Sequence, residues 1–322
     1  MDNLYTRREF LQKGAQWTAS AAVLDSVASD PPRASRLLPT RKLGRTGAEV
    51  SIIGLGLAPL GLAGYSRQEF RSTIEAALDE GVNYFDVQPD YGDVERYLAP
   101  IARDHRDRLF ITTKTFEKSK RSVLDSVRGS LDRLDVDQLD AVLVNNIGLY
   151  EMKQIFGADG VLAGLKAARQ QGQVRFFGLS GHCRPEHFTQ AMETEEFDIV
   201  MAPFNFVDRF TYRFEQEILP VAAKHHVGVV AMKTYGGAVG LSYQAREQRA
   251  LLPDDKHQLA IRYVLGLPGI SLALIGCKSS AEIHTAAHFG REYCPLSDVE
   301  LASAEAEGAR LAAQWGRHYP EG

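Results

Sequence analysis

The chain has 322 residues, 44% of them apolar and 24% charged, with a formal net charge of −4. That length suits one large α/β domain with a full core, and the mild acidity offers nucleic acid no basic surface. The three cysteines (Cys183, Cys277, Cys294) are scattered and odd in number, which excludes a disulfide framework, a paired-cysteine metal site and an iron–sulfur cluster. No apolar run approaches the ~20 residues of a membrane-spanning helix.

Taken in order, the chain opens with Thr6-Arg7-Arg8-Glu9-Phe10-Leu11, paired arginines followed by Phe-Leu, which resembles a twin-arginine export signal. A weakly apolar stretch from Gly14 to Leu24 and small residues around Ser26-Val27-Ala28 follow, and Asp30-Pro31-Pro32-Arg33 to Pro39 reads as a linker. Residues 1–39 are expected to be a signal and linker, with the export machinery as a partner and a periplasmic or other extracytoplasmic destination. Without a working signal the protein stays cytoplasmic. Residues 40–322 are expected to form the folded domain.

Arg41–Gly44 and Ala48–Ser51 flank Arg45-Thr46-Gly47, a hairpin pattern with Gly in the turn. Ile52–Gly56 is a first apolar strand. Ser66-Arg67-Gln68-Glu69 is a capping box opening a helix with Phe70, Ile74, Ala77 and Leu78 on one face, and Gly81 stops it. Strands at 83–86, 109–113, 139–144, 174–179, 199–202, 227–232 and 272–275 then alternate with helices at 94–102, 119–134, 161–170, 186–192, 214–225 and 259–267. Eight short, continuously apolar strands interleaved with helices predict a parallel sheet buried on both faces, closed as a (β/α)8 TIM barrel. No GxGxxG follows the first strand, which weakens a doubly wound alternative. Residues 301–315 form an extra C-terminal helix.

The chemistry gathers around Asn83-Tyr84-Phe85-Asp86-Val87-Gln88-Pro89-Asp90-Tyr91-Gly92 and Phe110-Ile111-Thr112-Thr113-Lys114. Asp86 and Lys114 end successive strands, where a barrel of this kind builds its site, and Tyr91 lies in the loop after Asp86. A tyrosine can protonate a developing alkoxide, but its free pKa of about 10 is high for work at neutral pH. A buried lysine lowers that pKa, and an aspartate keeps the ammonium charged and in place. Asp-x4-Tyr-Gly followed by a strand-end Lys resembles the aldo-keto reductase family, and the likeness runs from about Arg41 to about Phe289.

The resemblance implies an N-terminal hairpin that plugs the barrel bottom and a catalytic set of Asp86, Tyr91 and Lys114. The family's fourth catalytic residue is a His at the end of the fourth strand. Here Asp140-Ala141-Val142-Leu143-Val144-Asn145 places Asn145 there, an amide that can orient a substrate oxygen but cannot carry a proton. Asn146 would point the other way. For the cofactor, the family pattern gives Ser180 the nicotinamide carboxamide. Gly181 stands where an Asn is common, Met201 where a Gln is expected, and Met232 where an aromatic ring often stacks. Lys278 and Ser279 are the candidates for a 2′-phosphate, with His284 and His288 as nearby polar groups. His182, Cys183 and His187 fit no familiar zinc spacing, so no metal is expected, and a substrate-loop role is one candidate reading of His182.

The implied activity is NADP-dependent reduction of a small-molecule aldehyde or ketone, with NAD as the alternative cofactor. Two other readings stay open at this point: a binding or regulatory barrel with little turnover, and a lyase or isomerase without hydride transfer. Specificity is expected in the loops 57–64, 147–156 and 236–255, the last long enough to be a lid.

Overall fold

A computed structural model describes residues 37–319; the twin-arginine-like stretch, and the linker as far as Arg36, lie outside the described residues. The first elements are the short strands Thr40–Lys42 (β1) and Glu49–Ser51 (β2), an antiparallel hairpin with Thr40 opposite Ser51. Leu43 and Val50 are fully buried and belong to the cluster that fills the barrel interior, so the hairpin seals one end. Its turn sits hard against the barrel. Gly44 has φ +48°, and a Cβ there would land on the backbone of Gly228, so both the conformation and the space demand glycine.

The barrel strands are Ile53–Gly56 (β3), Tyr84–Asp86 (β4), Phe110–Thr115 (β5), Leu139–Asn145 (β6), Val174–Ser180 (β7), Ile199–Pro203 (β8), Gly228–Met232 (β9) and Ile270–Ile275 (β10). All pair in parallel, in chain order, and β10 closes the ring against β3. The helices Arg67–Asp79, Val94–His105, Lys120–Leu134, Val161–Gln170, Pro185–Met192, Phe214–Lys224, His257–Leu265 and Ser280–Arg291 each follow a strand, and Asp298–Trp315 is added at the C-terminal end. The expected (β/α)8 barrel, its hairpin and its extra helix are all present.

Local signals explain the boundaries. Ser66 and Glu69 form the reciprocal capping box, and Gly81 at φ +87° ends that helix. Asn83 is not part of its strand. It ties the hairpin down, accepting from the Ser51 N–H and donating to the Glu49 carbonyl. Loop 57–64 contains the short helix Ala58–Leu62, and loop 147–156 contains Met152–Phe156.

Strand residues alternate between two buried faces, so the strands read as unbroken apolar runs. Phe85, Val142, Phe177, Val200 and Val229 pack outward under the helices. Tyr84, Phe110, Leu143, Ile199, Met201, Val230 and Leu272 fill the interior, where Tyr84 stacks on Phe110 at 5.5 Å between ring centroids. The interior is therefore solid at its lower levels. The charged and amide side chains Asp86, Lys114 and Asn145, with Ser180, face inward at the C-terminal ends of their strands. Among the described residues no helix is long and apolar enough to cross a membrane.

Candidate active site

Asp86 is the last residue of β4 and pairs in register with Thr112 of β5; Lys114, two residues further on, returns to the same inner face. The result is a bidentate ion pair. The Lys114 ammonium donates to Asp86 Oδ2 at 2.5 Å and Oδ1 at 2.6 Å, and the Thr112 hydroxyl donates to Oδ1 at 3.2 Å. Both charged side chains are buried. Burial alone pulls the Lys114 pKa down, but Asp86 and Tyr91 together hold it above the ordinary lysine value, so the ammonium stays charged.

Tyr91 lies against this pair, with Lys114 Nζ 5.2 Å from its ring centroid. The Tyr91 N–H donates to the Gln88 carbonyl at 3.0 Å, closing the turn after β4. A second contact fixes the loop: a Cβ on Gly61, in the short helix after β3, would fall on the Tyr91 carbonyl oxygen. The electrostatic outcome differs from the expected lowering of the tyrosine pKa. Lys114 does act downward, but burial outweighs it, and Asp86 and Tyr243 push the same way as burial, so the Tyr91 pKa is raised. The phenol holds its proton tightly.

Asn145 ends β6 in register with Ser180 of β7, which in turn pairs with Met201 of β8. Asn145 Nδ2 donates to Gln88 Oε1 at 3.1 Å, and both side chains are almost fully buried. Asn146 turns the other way, as the strand alternation requires, and its Oδ1 accepts from the His182 N–H at 3.1 Å. Ser180 Oγ is buried and has no hydrogen-bond partner among the described residues. Such an orphaned hydroxyl is costly unless something else satisfies it. Gly181 offers no side-chain contact, and the space a Cβ would take is filled by the Asn146 amide. Met201 is fully buried in the interior cluster, and Met232 is at the strand end with 7% exposure.

Lys278 and Ser279 flank the start of helix Ser280–Arg291, and Ser279 caps it by accepting from the Glu282 N–H. The Lys278 ammonium is engaged by segment 236–255, donating to the carbonyls of Arg246 at 3.0 Å and Gln248 at 2.8 Å. That segment is pinned on its far side by Arg246, which bonds Glu69 at 2.7 Å and the Gly64 carbonyl at 3.0 Å. His284 is drawn away to Glu80, at 2.6 Å.

The structure adds residues that sequence reasoning did not place in the site. Lys233 follows β9 with φ +58°, its carbonyl accepting from Gly236 N at 2.7 Å and Asn205 Nδ2 at 3.1 Å. Its ammonium donates to the Tyr243 hydroxyl at 2.8 Å, which links the long segment to the strand ends. Burial and the charges of Lys233 and Lys114 hold the His182 pKa well below the usual range, so this imidazole is neutral. Tyr319 packs its ring 5.6 Å from His182 and donates its hydroxyl to Asp208 at 2.6 Å. A lysine directly after a strand was visible in the sequence; the contacts made by Tyr243 and Tyr319 come from distant segments and had no local signal.

Comparison with known proteins identifies the family. A model of the aldo/keto reductase family covers residues 52–257, which takes in Asp86, Tyr91, Lys114, Asn145 and Ser180 and stops short of Lys278. Pyridoxal 4-dehydrogenase of Microbacterium luteolum is 26% identical over 270 residues, covering 69% of this chain and 78% of that protein. An aldo-keto reductase of Mycobacterium avium is 31% identical over 209 residues, covering 64% and 67% respectively. Among solved structures, a candidate aldo-keto reductase from Pseudomonas aeruginosa superposes with a TM-score of 0.67 at 26% identity, covering 80% of this chain and 97% of that one. An aldo/keto reductase from Klebsiella pneumoniae, in complex with NADP and acetate, shares the fold at a TM-score of 0.65 and 20% identity, covering 84% and 95%. With the family model spanning more than half of its length over the same strand-end residues, the chain belongs to the aldo/keto reductase family of NAD(P)-dependent oxidoreductases.

Proposed function

We propose that this protein reduces an aldehyde or ketone with NADPH, with Tyr91 as the proton donor. The observation that carries the reading is the buried Asp86–Lys114 ion pair set against Tyr91 at the end of β4 and β5. Asp86 holds the ammonium in place, and the ammonium stabilises the phenolate that forms when the Tyr91 hydroxyl gives up its proton to the substrate oxygen. The raised pKa of Tyr91 keeps that proton available across neutral pH. Asn145 orients the carbonyl oxygen through its amide.

Two features support NADP as the partner molecule. The orphaned Ser180 hydroxyl at the end of β7 fits a carboxamide, and Lys278 with the N-terminus of helix Ser280–Arg291 fits a phosphate. The structural neighbours solved with NADP and NADPH agree with this choice. The chemistry supplied by the cofactor, once bound, is hydride donation to the carbonyl carbon. Met232, at the end of β9 opposite Pro203 and two residues past the level of Ser180, would pack against the nicotinamide through its thioether.

A fluorescence titration with NADPH and NADH, followed by a carbonyl-substrate screen of wild type against Tyr91→Phe, tests the reading. Tight NADPH binding by both proteins with turnover by wild type alone is the expected outcome. A folded protein that binds neither dinucleotide up to millimolar levels would overturn it.

A further inference from the structure

Glu95 is the second residue of helix Val94–His105, follows closely on the Tyr91 loop, and is 2% exposed. The other buried side chains of that helix are Val94, Leu98, Ile101 and Ala102, all apolar. Both carboxylate oxygens of Glu95 are used. Oε1 accepts from the Thr113 hydroxyl at 2.8 Å, and Oε2 accepts from Arg133 Nε at 2.6 Å. Arg133 lies on helix Lys120–Leu134 and is partly exposed, whereas Thr113 is buried in β5. A buried ion pair is weak support for a fold, since apolar side chains of similar volume can pack there as well. Anchoring one helix to the next through Arg133 does not require the inward bond to Thr113 either. That bond has a consequence through its place in β5. Thr112 and Lys114, the neighbours of Thr113, are the residues that bond Asp86 from the inner face. Thr113 faces outward between them, in register with Val142 of the outer layer.

Glu95 therefore grips the strand of Lys114 from outside, while its own helix begins just after the Tyr91 loop. That loop is fixed upstream where it leaves β4 at Asp86, and downstream where Glu95 ties the helix start to β5. We propose that Glu95 is a positioning residue: through Thr113 it fixes where Tyr91 sits relative to Lys114. This rests on the reductase reading above, and Glu95 and Thr113 act from the outer side of the barrel wall. Without the link, the helix start and the Tyr91 loop are free to shift against β5. The Lys114 ammonium then stabilises the developing phenolate less well, and the loss falls on the chemical step rather than on binding.

The test is Thr113→Val, which keeps the side-chain shape and the Glu95–Arg133 ion pair but removes the hydroxyl. In turnover of a carbonyl substrate with NADPH, kcat is expected to fall about tenfold or more, with KM and NADPH affinity within about twofold of wild type. Thr113→Ser, which keeps the hydroxyl and loses the methyl, is expected to retain most of the wild-type kcat. Glu95→Asp, one methylene too short to hold both partners, should show the same split and serves if Thr113→Val does not fold. An unchanged kcat in the folded variant overturns the proposal, and so does a Thr113→Ser no better than Thr113→Val. A readout without turnover separates this from failure of the reductase reading. With tyrosine isotope-labelled at the phenolic carbon and Tyr91 identified by its loss in Tyr91→Phe, the Tyr91 NMR signal should move in Thr113→Val and return in Thr113→Ser. A Tyr91 signal in the same place in all three proteins would overturn the assignment even if no carbonyl is reduced.

Discussion

Tyr91 is held protonated by its surroundings, because burial and the nearby Asp86 and Tyr243 outweigh the pull of Lys114. A proton donor of that kind gives a clear pH signature. On the reading proposed above, reduction requires the neutral phenol, so kcat/KM should be flat between about pH 6 and 9 and fall only as pH rises past the elevated tyrosine pKa. Asn145 adds no limb near neutrality, since an amide does not titrate. Asn145→His should introduce one near the imidazole pKa of about 6.5, and a pH–rate profile of the variant checks this. Asp86→Asn leaves the Lys114 ammonium buried without its counter-charge. That should destabilise the fold by about 3–5 kcal/mol in denaturant titration, on top of the lost activity.

At the scale of elements, the site depends on how two loops meet the strand ends. Gly61 touches the Tyr91 backbone so closely that Gly61→Ala must displace the tyrosine loop. A displacement of even an ångström should reduce kcat by about 10²-fold with little effect on NADPH affinity, which separate titration and turnover measurements resolve. Much of this level was legible in the sequence. The capping box at Ser66, the glycine stop at Gly81 and the continuously apolar strands are local signals, and the strand-end positions of Asp86, Lys114, Asn145 and Ser180 follow from them. What was not legible depends on contacts across the chain. Gln88 looked like an ordinary loop residue until β6 brought Asn145 to it, 57 positions away. The sign of the Tyr91 shift depends first on how the folded chain buries the phenol, and Tyr243 adds to it from a segment whose path the sequence does not specify. Lys278 could be found from the helix start beside it, but not its bonds to the Arg246 and Gln248 carbonyls.

The described residues form a barrel with a filled interior, a plugged base and a rim that carries the proposed site, so stability and activity should be separable. Gly44→Ala, at the plug, would drive the hairpin turn into the Gly228 backbone at a positive φ. It should lower thermal stability by more than the ~1 kcal/mol of an ordinary glycine replacement, while the folded fraction keeps its turnover per molecule. Export through Arg7 and Arg8 is a separate proposal, and cell fractionation of an Arg7→Lys, Arg8→Lys variant addresses it. The most direct measurement of the central claim uses NADPH deuterated at the transferable nicotinamide position with a carbonyl substrate. Deuterium should appear on the former carbonyl carbon of the product with wild type, and should be strongly reduced with Tyr91→Phe although that variant still binds NADPH. An NADPH-bound wild type that forms product without deuterium at that carbon would contradict hydride transfer at this site.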